Sequence, residues 1–133
     1  SKLIIPALQQ NKIVICDRYL DSTIAYQVYA RGLSKDFVLN INNFALNYMP
    51  NITFYLDLDP KIGIKRVKKF RPKEINSFDL QKLSFHKKVR KGYLDLCQKD
   101  QQKRIFLIDA SKSLENIYNI IEQKIKEVFK IDL

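Results

Sequence analysis

The sequence predicts an α/β layer fold, a parallel sheet with helices on its faces, and three observations carry that expectation. Three short segments, Lys12-Ile13-Val14-Ile15-Cys16, Ile52-Thr53-Phe54-Tyr55-Leu56 and Arg104-Ile105-Phe106-Leu107-Ile108, are almost continuously apolar. That pattern belongs to strands covered on both faces. The stretches between and after them place apolar residues at helical steps. Finally, each strand-like run ends in aspartate: Asp17 after the first, Asp57 and Asp59 after the second, Asp109 after the third. Right-handed crossovers between parallel strands gather those acids on one rim, the edge at which open parallel sheets bind ligands. Any single one of them also has a plainer role, ending a strand or closing a turn.

The elements follow in order. Residues 20–30 and 35–48 carry helical patterns and fill the first gap. Residues 60–69 form a short helix after Asp59, with Pro60 at the first helical position, where its missing N–H costs nothing. Phe70-Arg71-Pro72-Lys73-Glu74 then interrupts the pattern, and its proline and charges mark a candidate mobile flap. Residues 78–99 resume the helix, with Phe78, Phe85, Val89, Tyr93, Leu96 and Cys97 toward one side. The last helix sets Leu114, Ile117, Ile121, Ile125 and Val128 at steps of three and four, with Ser113 as N-cap and Ser111 as competitor. No internal repeat or linker composition divides the chain, so residues 1–133 read as one α/β domain.

Composition bounds the function. A chain of 133 residues with 46% hydrophobic and 29% charged side chains has material for a real core. With 3 Gly and 4 Pro it is neither collagen-like nor of low complexity. No apolar run reaches the ~20 residues that span a bilayer, and no signal segment opens the chain. Two cysteines, Cys16 and Cys97, are too few for a disulfide scaffold, so a reducing cytoplasm is expected. The single histidine, His86, fits a partly exposed helix position better than a metal or acid–base role, and no Ser/His/Asp set for nucleophilic catalysis is evident. The net charge of +10 invites a nucleic-acid reading. That charge is local, however: residues 61–104 carry fifteen Lys/Arg and four Asp/Glu, while the flanking segments are close to neutral. A solvated helix face is the bland account of those lysines, and a patch for phosphate groups the sharper one.

The chemistry concentrates at the first strand end. Asp17 and Arg18 stand together, followed by Tyr19, Ser22 and Thr23. An acid able to accept from metal-bound water then sits beside a guanidinium able to grip phosphate in a bidentate way.

The run Asp17-Arg18-Tyr19-Leu20-Asp21-Ser22-Thr23-Ile24-Ala25-Tyr26-Gln27 resembles the corresponding motif of the thymidylate kinases, enzymes that phosphorylate dTMP to dTDP. Collinear likenesses follow in Arg31-Gly32-Leu33, in Pro50-Asn51-Ile52-Thr53-Phe54-Tyr55-Leu56-Asp57-Leu58-Asp59-Pro60, and in Gly63 to Val67. They continue through Phe85-His86 to Tyr93-Leu94, and through Arg104 to Ala110. The resemblance implies a P-loop nucleotide-kinase fold, ATP and Mg2+ as cofactors, dTMP as acceptor, no nucleic-acid or membrane partner, and a homodimer. Position by position, it implies that Arg18 holds the dTMP phosphate with Ser22 nearby, and that Tyr26 lies beside the deoxyribose and crowds out a 2′-hydroxyl. Thr23 and Gln27 face the thymine edge. Asp17 orients Arg18 or holds magnesium through water. Arg66 stacks on adenine, with Ala110 and Ser111 contacting it through their backbone. Lys68, Lys69, Arg71 and Lys73 belong to a basic lid over residues 68–79, Arg71 being the residue expected to reach the transferring phosphoryl because its planar fork pairs bidentately. Phosphoryl transfer needs two phosphates held in line and charge neutralised, which gives the basic stretch a purpose.

Two departures stand beside the likeness. Where the family often has an Asp-Arg-Phe-Glu type lid motif, this sequence has Asn76-Ser77-Phe78-Asp79. No Gly-x-x-x-x-Gly-Lys-Ser/Thr loop occurs anywhere, and the sequence opens at Ser1 on what resembles the end of a helix. About the first third of the family's length is therefore expected to be missing, including a strand that belongs between residues 12–16 and 52–56. The 133 residues alone are expected to have no kinase activity. The alternatives are a kinase of the same superfamily acting on another nucleotide or deoxynucleoside, and a non-enzymatic basic α/β module for nucleic acid. Tyr26 and Gln27 favour dTMP over the first, and the lack of aromatics interleaved with the basic stretch disfavours the second.

Overall fold

The computed structural model describes residues 2–70 and 83–130. A short helix α1 (Ile4–Gln9) comes first, followed by α2 (Leu20–Thr23), which runs on into a π-helix over Ile24–Ala30. Next are α3 (Lys35–Ile41), α4 (Asn43–Leu46), β1 (Thr53–Asp57), α5 (Pro60–Phe70), α6 (Leu83–Lys99), β2 (Ile105–Asp109) and α7 (Leu114–Phe129). β1 and β2 pair in parallel, Thr53 against Ile105 through Asp57 against Asp109. Alternation along each strand sends Tyr55 and Phe106 to opposite faces. Tyr55 stacks on Tyr93 of α6, with ring centroids 4.4 Å apart, while Lys124 of α7 lies 5.3 Å over Phe106. Helices thus cover opposite faces of a parallel pair, the α/β layering expected from the sequence.

One expected strand is absent. Residues 12–16 join no ladder and are exposed, Ile15 at 93%. A strand exists only by pairing, and the described residues offer this apolar run no partner. For the same reason β1 and β2 are less enclosed than strands buried on both faces: Leu56 is 48% and Leu107 49% exposed. The core lies instead around Leu20, Ile24, Ala25, Val38, Val89 and Ile108.

The helix ends follow their local chemistry. Lys61 N–H donates to Asp59 Oδ1 at 2.8 Å as α5 begins at Pro60. Ser113 caps α7 by accepting from Asn116 N–H at 3.3 Å. Its competitor Ser111 is occupied elsewhere, since its hydroxyl donates to Asp109 Oδ1 at 2.6 Å. The expected 20–30 helix forms, but with π geometry in its second half, where Arg31 N–H reaches back five residues to the Tyr26 carbonyl at 3.1 Å. It ends at Gly32, whose φ of +78° suits a residue without Cβ. α6 packs tightly on this helix at Gly92, where a Cβ would stand 2.8 Å from Tyr29 Cβ. The Tyr29 hydroxyl donates to the Asp95 carboxylate, which also pairs with Lys99 at 2.8 Å.

Among the described residues no helix is long and apolar enough to cross a membrane. The expected lid over residues 68–79 lies outside the described residues from 71 onward, and with it Arg71, Lys73 and Phe78.

Candidate functional site

The helix spanning residues 20–30 builds a cavity of about 470 Å³, lined by Arg18, Tyr19, Leu20, Ser22, Thr23, Tyr26, Gln27, Arg31, Asn42 and Ala45. Five residues singled out from the sequence, Arg18, Ser22, Thr23, Tyr26 and Gln27, therefore meet around one space. Ser22, Thr23, Tyr26 and Gln27 do so because they fall as two adjacent pairs four residues apart along a single helix, in which Ile24 and Ala25 are buried. Arg18 precedes that helix with φ +67°, an uncommon conformation for a residue with a side chain. Its Nε donates to Ser22 Oγ at 2.7 Å, and its guanidinium carbon lies 4.2 Å from the Tyr26 ring centroid. Tyr26 is backed in turn by Phe85 of α6, edge to face at 6.0 Å. The arginine is thus fixed by a hydroxyl and an aromatic face, with further N–H groups left for a ligand.

No lining residue of this cavity is acidic, and two are arginines. Its wall also holds Tyr19, whose hydroxyl oxygen is buried without a partner among the described residues, and burial pushes that phenol above its usual range. A buried polar atom left unpaired is costly and points to a ligand or water as partner. Asn42 donates through Nδ2 to the Val38 carbonyl at 2.9 Å, which leaves its Oδ1 to accept. Arg31 and Asn42 were given no role from sequence. For Arg31 the signal was available: it closes the same helix, one step of four after Gln27.

Asp17 is exposed, is not part of the cavity wall and has no side-chain hydrogen bond or ion pair among the described residues. The other strand-end acids are engaged. Asp57 and Asp109 stand side by side as register partners, as a shared rim requires. Asp57 takes a bidentate pair from Arg90, at 2.8 and 2.7 Å, together with the Tyr55 hydroxyl at 3.0 Å. Those Arg90 hydrogen bonds hold the Asp57 carboxyl below its ordinary value, and Arg90 is raised in return. Asp109 is also lowered, first by the Ser111 hydroxyl. The rim is therefore an ordered set of carboxylates at neutral pH. A second buried pair went unnoticed in the sequence: Asp21, 5% exposed, receives both Arg104 nitrogens at 2.8 Å. Arg104 further donates to Thr53 Oγ1 at 3.2 Å, tying the cavity helix to β1 and β2.

On the far side of the sheet end, Arg66 of α5 donates to the Ala110 carbonyl at 3.0 Å, so these two expected neighbours of adenine do lie together. Lys68 and Lys69 occupy the last turn of α5. Lys68 lines a second cavity of about 280 Å³ between β1, α5 and α6, and so does half-buried His86, whose Nε2 is buried without a partner. Among the described residues no cluster of three or more His, Cys, Asp or Glu is placed to hold a metal ion.

A parallel strand pair with helices on both faces, together with a cavity whose described lining holds two arginines and no acid, defines an α/β protein with a cationic cavity. The chain belongs to the thymidylate kinase family, whose fold is that of the P-loop kinases: the family model described as "Thymidylate kinase" matches residues 1–121. The chain is similar to the thymidylate kinase of Onion yellows phytoplasma (strain OY-M), 94% identical over all 133 residues, and to that of Aster yellows witches'-broom phytoplasma (strain AYWB), 95% identical over the same span. A more distant likeness is the thymidylate kinase of Clostridium novyi (strain NT), 45% identical over 127 residues, 95% of this chain and 62% of that protein. The chain spans 64% of the length of the two phytoplasma relatives.

Proposed function

We propose that this chain supplies the acceptor half of a thymidylate kinase, the part that binds dTMP for transfer of the ATP γ-phosphoryl to give dTDP. The observation that carries the reading is Arg18, held 2.7 Å from Ser22 and 4.2 Å over Tyr26 inside a cavity that Thr23 and Gln27 also line. In this reading Arg18 grips the phosphate, Ser22 keeps it aimed, and Tyr26 packs against the sugar where a 2′-hydroxyl has no room. Thr23 and Gln27 meet the base. The fixed guanidinium matters because catalysis here is mainly positioning and charge neutralisation.

ATP and Mg2+ belong to the same reading. Arg66, tied to the Ala110 carbonyl, presents a planar group on which a purine can stack, with the Ser111 backbone beside it. Lys68 and Lys69 follow on the same helix toward the lid, to which Arg71 and Lys73 are assigned. Asp17, exposed beside Arg18, can accept from water on a magnesium ion, which supplies charge neutralisation when bound. A cytoplasmic setting is supported by two cysteines that are both free. A homodimer is supported by the exposed apolar residues Phe37, Ile41 and Phe44 of α3 and α4.

Steady-state kinetics on a longer protein carrying this chain test the reading. Arg18→Ala is expected to raise the KM for dTMP far more than that for ATP, and equal effects on both would refute the assignment. The 133-residue chain alone is expected to release no ADP from ATP and dTMP in a coupled assay, because its sequence holds no Gly-rich loop for the β- and γ-phosphates.

A further inference from the structure

We propose that Phe85 of α6 is a positioning residue for the acceptor: it fixes the Tyr26 ring, and through that ring the Arg18 guanidinium. The proposal rests on reading the Arg18 cavity as the dTMP site, and it assigns what holds the aromatic wall of that site in place.

Tyr26 stands between two spaces. It lines the cavity of about 470 Å³ that holds Arg18 and also the cavity of about 280 Å³ between β1, α5 and α6. A ring with room beside it keeps one orientation only where specific contacts select it. Two such contacts are present among the described residues. The Arg18 guanidinium carbon lies 4.2 Å from the ring centroid. Phe85 meets the ring edge to face, with centroids 6.0 Å apart and planes at 65°. Arg18 is the group to be presented to a ligand, so the contact that anchors the ring is the one with Phe85. Phe85 itself lines neither cavity, so it reaches a ligand only through Tyr26.

Phe85 suits that task because α6 is itself fixed. Phe85, Val89 and Tyr93 fall at steps of four along one face of the helix. Val89 is buried, Tyr93 stacks on Tyr55 of β1 at 4.4 Å, and Arg90 pairs with Asp57 at the strand end. The helix also packs against the 20–30 helix at Gly92, one residue before Tyr93. The brace therefore runs from the sheet through α6 to Tyr26 and on to Arg18. Edge-to-face and cation–π attraction both depend on ring orientation. A tilt of Tyr26 would loosen the guanidinium that grips the phosphate and open room beside the sugar.

Steady-state kinetics on a longer protein carrying this chain test the proposal. The probes are dTMP, ATP and ribothymidine 5′-monophosphate, which differs from dTMP by its 2′-hydroxyl. Phe85→Leu removes the ring and keeps an apolar side chain. It is expected to raise the KM for dTMP about two- to tenfold, leave the KM for ATP unchanged and narrow the preference for dTMP over the ribonucleotide. Phe85→Tyr keeps the ring and should restore most of both. In a Tyr26→Leu background Phe85→Leu should add nothing, because the residue acts through Tyr26. Phe85→Ile is a second ring-free variant expected to match Phe85→Leu, and thermal melting of each verifies the fold. An unchanged KM for dTMP, equal rises in the KM for dTMP and ATP, or a full effect in the Tyr26→Leu background would overturn the proposal. The reading of the cavity is judged separately: an Arg18→Ala variant that left the KM for dTMP unchanged would overturn it, and the role of Phe85 with it.

Discussion

Two neighbouring segments of this chain show opposite fates. Residues 12–16 have the composition of a central strand, yet they lie exposed and unpaired, with Ile13 and Ile15 both turned to solvent. A few residues later, the helix over 20–30 is among the best-packed parts of the molecule. Leu20, Ile24 and Ala25 are buried, Tyr29 fits against Gly92, and Asp21 is locked to Arg104. The difference is one of partners. The helix satisfies its backbone internally and needs only α6 against its apolar side, which the chain provides. The strand needs neighbouring strands, and among the described residues its apolar side chains find no ladder partner. The cavity lined by Arg18, Tyr26 and Gln27 is built on the first kind of element.

The largest effect should come from breaking the tie between the cavity helix and the sheet. Asp21→Asn leaves the mostly buried Arg104 guanidinium without its counter-charge. It is expected to destabilise the chain by about 3–5 kcal/mol, read as a lowered urea midpoint, whereas Ile15→Thr in the exposed run should change the midpoint little. A smaller loss is expected from Gly92→Ala. The new methyl meets the root of the Tyr29 side chain, not its movable tip, so α6 must back away. Overpacking of this sort costs about 1–3 kcal/mol, and Tyr29→Ala in the same background should recover part of it.

The smallest effect concerns the rim. Asp57 is held below its ordinary 3.8 mainly by its Arg90 hydrogen bonds. Protonation is therefore harder in the folded chain, and the stabilisation is fully present above that ordinary value. It is lost as pH falls through the lowered one. Arg90 is partly exposed, so the pair contributes about 1 kcal/mol or less. Urea midpoints measured from pH 6 to pH 2 should show a shallower acid decline in Asp57→Asn than in the unaltered chain, and parallel declines would remove Asp57 as a contributor.

What was legible in the sequence divides along the same line. Local patterns located β1 and β2 to within a residue, placed α5 after its proline, and put α7 behind Ser113. Arg18, Ser22, Thr23, Tyr26 and Gln27 could be grouped because one helix carries most of them. The run at 12–16 has the composition of a strand but joins no ladder among the described residues, because pairing is decided by residues distant in sequence and not by the composition of the run. The Asp21–Arg104 pair joins positions 83 apart, and no local signal links them. The π-helix was invisible for a related reason: π and α geometry share much the same apolar spacing over so short a segment. Asp17 lies at the predicted strand end but outside the cavity wall, since the strand that was to position it does not form.

The central claim is that the 20–30 helix of this chain forms a nucleotide-acceptor cavity on its own. Amide chemical-shift mapping by NMR tests it most directly, with dTMP titrated into the chain and into Arg18→Ala. The expected result is a set of saturable shifts confined to residues 18–31 and to Asn42 and Ala45, strongly reduced in the variant. Shifts centred on α7 or on residues 12–16, or shifts that persist undiminished in Arg18→Ala, would contradict it.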